Sequence, residues 1–158
     1  MALEAEKSCR YGRWSLKRMT ALVTGGTRGI GYAIVEELAG FGAVIHTFSR
    51  NQQNSMNAYK NGKGKGYCEW ISMQVNNAGI LIHKQTTEYT AEDFSNLMST
   101  NFEAPFHLSQ LAHPLLKASG NGNVVFISST AGIIAAPSSP PFALTKGTLN
   151  TKSDIEYT

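Results

Sequence analysis

The sequence predicts an α/β fold, a doubly wound parallel sheet reduced to about four strands, and three stretches carry that prediction. Thr20-Ala-Leu-Val-Thr24 holds the unbroken apolar run Ala21-Leu-Val23, as in a parallel strand covered on both faces. Gly25, Gly29 and Gly31 follow at once, and helix-forming residues then extend from Tyr32 to Ala39 and stop at Gly40. Beyond the Gly40-Phe-Gly42 break, Ala43 to Arg50 reads as a second strand and completes a β-α-β unit.

The glycines between strand and helix have a chemical meaning. Such a turn lets backbone N–H groups approach a phosphate, and the helix N-terminus adds positive potential. Thr24-Gly25-x-x-x-Gly29-x-Gly31 therefore points to dinucleotide binding more than to a plain strand-to-helix turn. Gly25, Thr27, Arg28, Gly29, Ile30 and Gly31 are its candidate contacts. The end of the second strand selects the dinucleotide. A carboxylate there would bind the ribose 2′-OH of NAD. The chain instead has Ser49 and Arg50, with Arg28 in the glycine loop. Two guanidinium groups suit a 2′-phosphate, so the expected cofactor is NADP(H).

The first helix is expected to bury a stripe of Ile30, Ala33, Ile34 and Leu38. Residues 51–66 have loop composition. Ile71 to Val75 alternates as a short strand and leads into Asn76-Asn-Ala-Gly79. Thr90-Ala-Glu-Asp93 opens a helix with a hydroxyl N-cap and acids in its first turn. Phe94, Leu97, Asn101, Leu108, Leu111 and Leu115 then recur at near-helical spacing. Pro105 lies inside this pattern and cannot bond the Asn101 carbonyl, which predicts a kink and a free carbonyl. Val124 to Ser129 is a strand ending in two hydroxyls. A last helix opens near Pro140-Pro141, carries Phe142 to Lys146 and fades by Asn150. Residues 18–150 thus form an incomplete nucleotide-binding domain between two tails, 1–17 and 151–158, the first docking through Trp14. His46, within the second strand, is expected to be packed in the core.

Composition narrows the function classes. The 158 residues suffice for one domain, and 42% hydrophobic against 16% charged content favours folding over disorder. A net charge of +3, scattered along the chain, gives no argument for nucleic acid. Cys9 and Cys68 make no disulfide framework and, like the histidines, lack metal-ligand spacing, so no metal is expected and the compartment is read as reducing. No run reaches the length of a membrane span, and the polar N-terminus has no apolar signal core.

Taken together, Thr24 to Gly31, Asn76-Asn-Ala-Gly79, Asn101 and Ser128-Ser129 resemble the short-chain dehydrogenase/reductases. The text at Arg13-Trp-Ser-Leu16, Tyr89 to Phe94 and His107 to Ser119 resembles the plant tropinone reductase-like branch. The resemblance implies a Rossmann-type sheet, a cytoplasmic location and NADP(H)-dependent reduction of a small ketone to an alcohol. In that family Tyr exchanges a proton with the substrate oxygen, and Lys lowers the Tyr pKa and holds the nicotinamide ribose. Ser positions the carbonyl, and Asn helps hold a relay water. The family spacing puts these places at Asn101, Ser129, Phe142 and Lys146, the serine thirteen residues before Phe142 and the lysine four after it. Asn77, Ala78 and Gly79, with Lys146, complete the implied cofactor contacts, Asn77 also linking neighbouring strands.

Three departures shape the expectation. Phe142 has no hydroxyl, and a positioned general acid is worth roughly 10²–10⁴-fold, so activity is expected to be low or absent. Residues 51–71 leave no room for a further strand with its helices, and the family's last two strands and lid have no counterpart. The family order 3-2-1-4-5-6-7 is thereby reduced to 2-1-4-5, with poorly covered sheet faces, marginal stability and weakened cofactor binding. The alternatives are a non-catalytic nucleotide-binding fragment, a homodimer or heterodimer formed through the Asn101 and Lys146 helices, or a mis-spliced product without function.

Overall fold

A computed structural model describes residues 14–49, 69–134 and 139–150. Arg50, the 51–66 stretch and the predicted C-terminal tail lie outside the described residues. Strands β1 (Thr20–Thr24), β2 (Val44–Phe48), β3 (Met73–Asn76) and β4 (Asn123–Phe126) form one parallel sheet in the order β2-β1-β3-β4. This is the expected 2-1-4-5 order, renumbered within the chain. Strands β2 and β4 are shorter than the sequence suggested.

Helix α1 (Gly29–Gly40) covers one face over β1 and β2, where Val35 packs with Ala21, Val23 and Val75. Helix α2 (Ala91–Met98) and helix α3 (Ala104–Ala118) follow, and α3 sets Ala112 and Leu116 against Ile71, Leu22 and Val124 on the other face. Helix α4 (Pro140–Asn150) packs mainly against the ends of other elements, the Thr130–Gly132 turn of 3₁₀ helix and the residues joining α2 to α3. Among the described residues, sheet coverage is incomplete as a result. Val125, on the α1 side but beyond its reach, is 45% exposed, and Val44 and Phe48 on the opposite face are each 49% exposed.

Several expectations need correction. The buried stripe of α1 is Gly31 and Val35, with Ile34 and Leu38 half-buried, while Ile30 and Ala33 face solvent. Gly31 faces inward, close against the Gly25 carbonyl and the Asn77 side chain. Phe94 and Leu111 likewise point outward. The kink predicted at Pro105 is instead a π-helical turn, Ser99–Glu103, in which the Ala104 N–H reaches the Ser99 carbonyl. Pro105 then falls at the start of α3, where its missing N–H matters little. The chain end that holds Trp14 meets the domain through the Leu16 N–H, which donates to the Phe41 carbonyl, while the Trp14 side chain is largely exposed. His46 is half-buried rather than enclosed.

The predicted cap of α2 forms. Thr90 Oγ1 accepts the Asp93 N–H, and the Asp93 carboxylate accepts the Thr90 N–H and the Lys84 ammonium, the latter at 2.6 Å. The bond from Lys84, then that from Thr90, holds the Asp93 carboxyl at about 2. Its folded value lies below the unfolded one, so its stabilising contribution is full above about pH 4 and is lost as pH falls through about 2. The gap in melting temperature between the wild type and Asp93→Asn should therefore close between those limits; a gap independent of pH contradicts it.

Gln74 presents a buried conflict in β3. Its Nε2 donates to Asn76 Oδ1 and to Ser109 Oγ, while its Oε1 is buried without a partner. An unsatisfied buried polar group costs about 1–3 kcal/mol, whereas replacing both partners by apolar groups is neutral or stabilising. Gln74→Leu combined with Asn76→Val, which leaves Ser109 bonded to the Pro105 carbonyl, should raise stability by up to about 1–3 kcal/mol in urea unfolding. A lower midpoint would show the polar cluster to be worth keeping.

Candidate active site

A cleft of about 800 Å³ opens at the carboxyl ends of β1, β2 and β3, where open α/β sheets bind ligands. Of the residues singled out in the sequence, Gly25, Thr27, Arg28, Gly29 and Ser49 line one side, and Asn77, Ala78 and Gly79 the other. Ile30 and Gly31 are not part of this lining, Ile30 facing solvent and Gly31 being buried. Arg50 is outside the described residues, so Arg28 is the one arginine seen at the wall.

The loop's shape follows from its glycines and from two threonines, Thr24 of the motif itself and Thr47 of β2. Gly25 (φ +67°) and Gly29 (φ +57°) adopt left-handed backbone. A Cβ on Gly31 would collide with the Gly25 carbonyl oxygen and the Asn77 side-chain amide. Thr47 Oγ1 donates to the Val23 carbonyl (2.7 Å) and accepts the Gly26 N–H (3.1 Å), clipping the loop to β2. Thr24 Oγ1 accepts the N–H groups of Asn77 and Ala78 at 3.0 and 2.9 Å. Asn77 Nδ2 returns bonds to the carbonyls of Thr24 and Gly25. The signal for Thr47 was a hydroxyl in an apolar strand. Helix α1 starts at Arg28 with no side-chain cap and no acid in its first turn, so its leading N–H groups remain for a ligand.

The cleft floor connects to the second group of residues through Gly79. A Cβ there would come 3.3 Å from Asn101 Oδ1 and 3.6 Å from Lys146 Nζ. The π-helical turn aims Asn101 inward, leaving it 1% exposed. Its Oδ1 accepts the Ile80 N–H (2.8 Å), and its Nδ2 donates to the Ile80 carbonyl and to Thr145 Oγ1. Lys146 is 7% exposed, donates from Nζ to the Ile127 carbonyl at 2.7 Å and stands 5.6 Å from the Phe142 ring centroid. Burial pushes its pKa below the usual lysine range. Ser129 Oγ accepts the Ala131 N–H, which leaves its own proton for a ligand. Ser128 Oγ donates to the Lys146 carbonyl, a structural tie.

The chain matches a known family. A model of short chain dehydrogenases matches residues 64–153. The chain belongs to the short-chain dehydrogenases. It is 50% identical over 164 positions to a tropinone reductase homolog of Datura stramonium, covering 87% of this chain and 61% of that protein. A tropinone reductase homolog of Arabidopsis thaliana is 47% identical, with 87% and 62% covered. The chain thus spans a little over three-fifths of the length of these relatives. The alignments exceed the chain's own 158 residues while using only part of it, so the relatives carry residues with no counterpart here. Among solved structures, a short chain dehydrogenase/reductase family protein superposes with a TM-score of 0.79 at 28% identity, covering 87% of this chain and 66% of that one. A gluconate 5-dehydrogenase of Burkholderia cenocepacia, in complex with NADP and tartrate, gives 0.75 at 25% identity, with 89% and 65% covered.

Within this short-chain dehydrogenase, Asn101, Thr145 and Lys146 gather beyond Gly79, with positive charge supplied by Lys146. At Phe142 the cluster offers a ring and no ionisable proton. No three His, Cys, Asp or Glu residues converge to hold a metal among the described residues, and no described helix is long and apolar enough to cross a membrane.

Proposed function

We propose that this chain binds NADP(H) in the cleft and that the ketone reduction implied by its resemblance is impaired in it by Phe142. The fit to a dinucleotide rests on the uncapped start of α1, on the collision a Cβ would make at Gly31, and on Arg28 beside Ser49 at the wall. In this reading the α1 N–H groups hold the pyrophosphate, and Arg28, Ser49 and Arg50 hold the 2′-phosphate. Asn77, Ala78 and Gly79 form the floor, and Lys146 meets the nicotinamide ribose. The bound cofactor supplies a hydride. Ser129 orients the ketone oxygen and Lys146 stabilises the negative charge that grows on it, but no side chain at Phe142 delivers the closing proton.

The observation that carries this reading is the Lys146 ammonium packed 5.6 Å from the centroid of a ring without a hydroxyl. NADPH oxidation with a panel of small cyclic ketones tests it. The wild type should stay near background, and turnover equal to that of an intact relative removes the impairment.

A second reading is a non-catalytic, dimer-forming role through α3 and α4, favoured by Leu111 (74% exposed), Leu144 (53%) and Phe106 (36%). Light scattering decides it: a dimer supports the reading, and a monomer at micromolar concentration removes it.

A further inference from the structure

The helix that bears Phe142 and Lys146 is anchored by a hydroxyl outside the cleft. Tyr89 Oη donates to the Ile82 carbonyl at 2.6 Å and lies 2.9 Å from Ser139 Oγ. Ser139 Oγ reaches the same Ile82 carbonyl at 3.1 Å. Three oxygens therefore meet in one triangle, and Ser139 is only 3% exposed. The triangle joins two pieces of the site. Ile82 lies two residues past Ile80, whose N–H and carbonyl clasp the Asn101 amide. Ser139 directly precedes α4, and its carbonyl accepts the Ala143 N–H in the helix's first turn. Ser139, Phe142 and Lys146 stand at i, i+3 and i+7, so they share one helix face. A shift at Ser139 is therefore passed along the face that carries Lys146.

We propose that Tyr89 is a positioning residue: its hydroxyl fixes the start of α4 against the Ile80–Ile82 backbone and so sets Lys146 at the nicotinamide end of the cleft. The inference rests on the NADP(H) reading above. Tyr89 does not line the cleft, and the Arg28 end of the cleft is held without it by Thr24, Thr47 and Asn77.

Two ligands separate positioning from a general structural role. NADPH spans the whole cleft, whereas 2′,5′-ADP carries only the adenosine half and the 2′-phosphate. Both are titrated by calorimetry against the wild type and Tyr89→Phe. One lost hydrogen bond corresponds to a fold-change of about 3–10. Tyr89→Phe should weaken NADPH by about that factor and leave 2′,5′-ADP unchanged. Equal weakening of both ligands, or of neither, overturns the proposal. A wild type that binds neither ligand overturns the nucleotide reading itself, and the Tyr89 role falls with it. Should Tyr89→Phe fail to fold, Ser139→Ala keeps the Tyr89 bond to Ile82 and takes its place. Weaker NADPH with unchanged 2′,5′-ADP then supports the proposal, and equal effects on both ligands overturn it.

Discussion

Phe142→Tyr is expected to raise NADPH-dependent ketone turnover by roughly 10²–10⁴-fold, the worth of a positioned general acid. Most of what the hydroxyl needs is already in place. Residues 142 and 146 lie one turn apart, so a phenol at 142 would share the helix face of Lys146. The Lys146 ammonium would favour the phenolate and so lower the phenol's pKa toward neutrality. In the proposed reading Ser129 orients the substrate oxygen, while Asn101 is fixed to the Ile80 backbone. The gain should appear in kcat more than in KM, because the hydroxyl acts on the developing alkoxide and not on ground-state binding. Stopped-flow or steady-state NADPH absorbance measures it. A variant that binds NADPH and stays inactive would show that Phe142 is not the limiting defect.

Gly31→Ala should produce the largest loss at the other end of the cleft. The added Cβ would meet the Gly25 carbonyl oxygen and Asn77 Nδ2, both fixed by the Thr24–Asn77 exchange of hydrogen bonds. Relief requires α1 to move away from β3 or the glycine loop to open, and either displaces the N–H groups that would meet a phosphate. Overpacking of this kind costs about 1–3 kcal/mol, which corresponds to on the order of 10–100-fold in nucleotide affinity if it falls on the bound state. Gly40 is the matched control: a Cβ there meets nothing within 4 Å, so Gly40→Ala should leave affinity unchanged. Equal affinities of Gly31→Ala and the wild type would contradict the close-approach account.

Local patterns foretold much of this architecture. The Ala21-Leu-Val23 run, the glycine break after it and the Thr90-x-x-Asp93 cap each specify their own geometry within a few residues, and each forms as expected. Features that depend on distant partners were less legible. Gly31 of α1 faces inward, close against Asn77, 46 positions away in sequence, so a stripe drawn from Ile30 missed it. Pro105 signalled a break but not its form, because a π-helical turn is selected by Asn101 finding Ile80 and Thr145. Thr47 looked like a strand residue and Thr24 like the opening of the glycine motif, since a hydroxyl's partners emerge only when the loops at the strand ends supply the N–H groups. The Tyr89–Ser139–Ile82 triangle is of the same kind.

The central claim is a nucleotide cleft retained beside a site that has lost its proton donor. Calorimetric titration of the wild-type chain with NADPH and NADH, followed by assay of the same saturated sample for ketone-dependent oxidation, tests it most directly. Saturable NADPH binding, about tenfold tighter than NADH from a charged contact to the 2′-phosphate, with no oxidation, is the predicted result. No saturation by either nucleotide, or rapid oxidation by the unaltered chain, would contradict it.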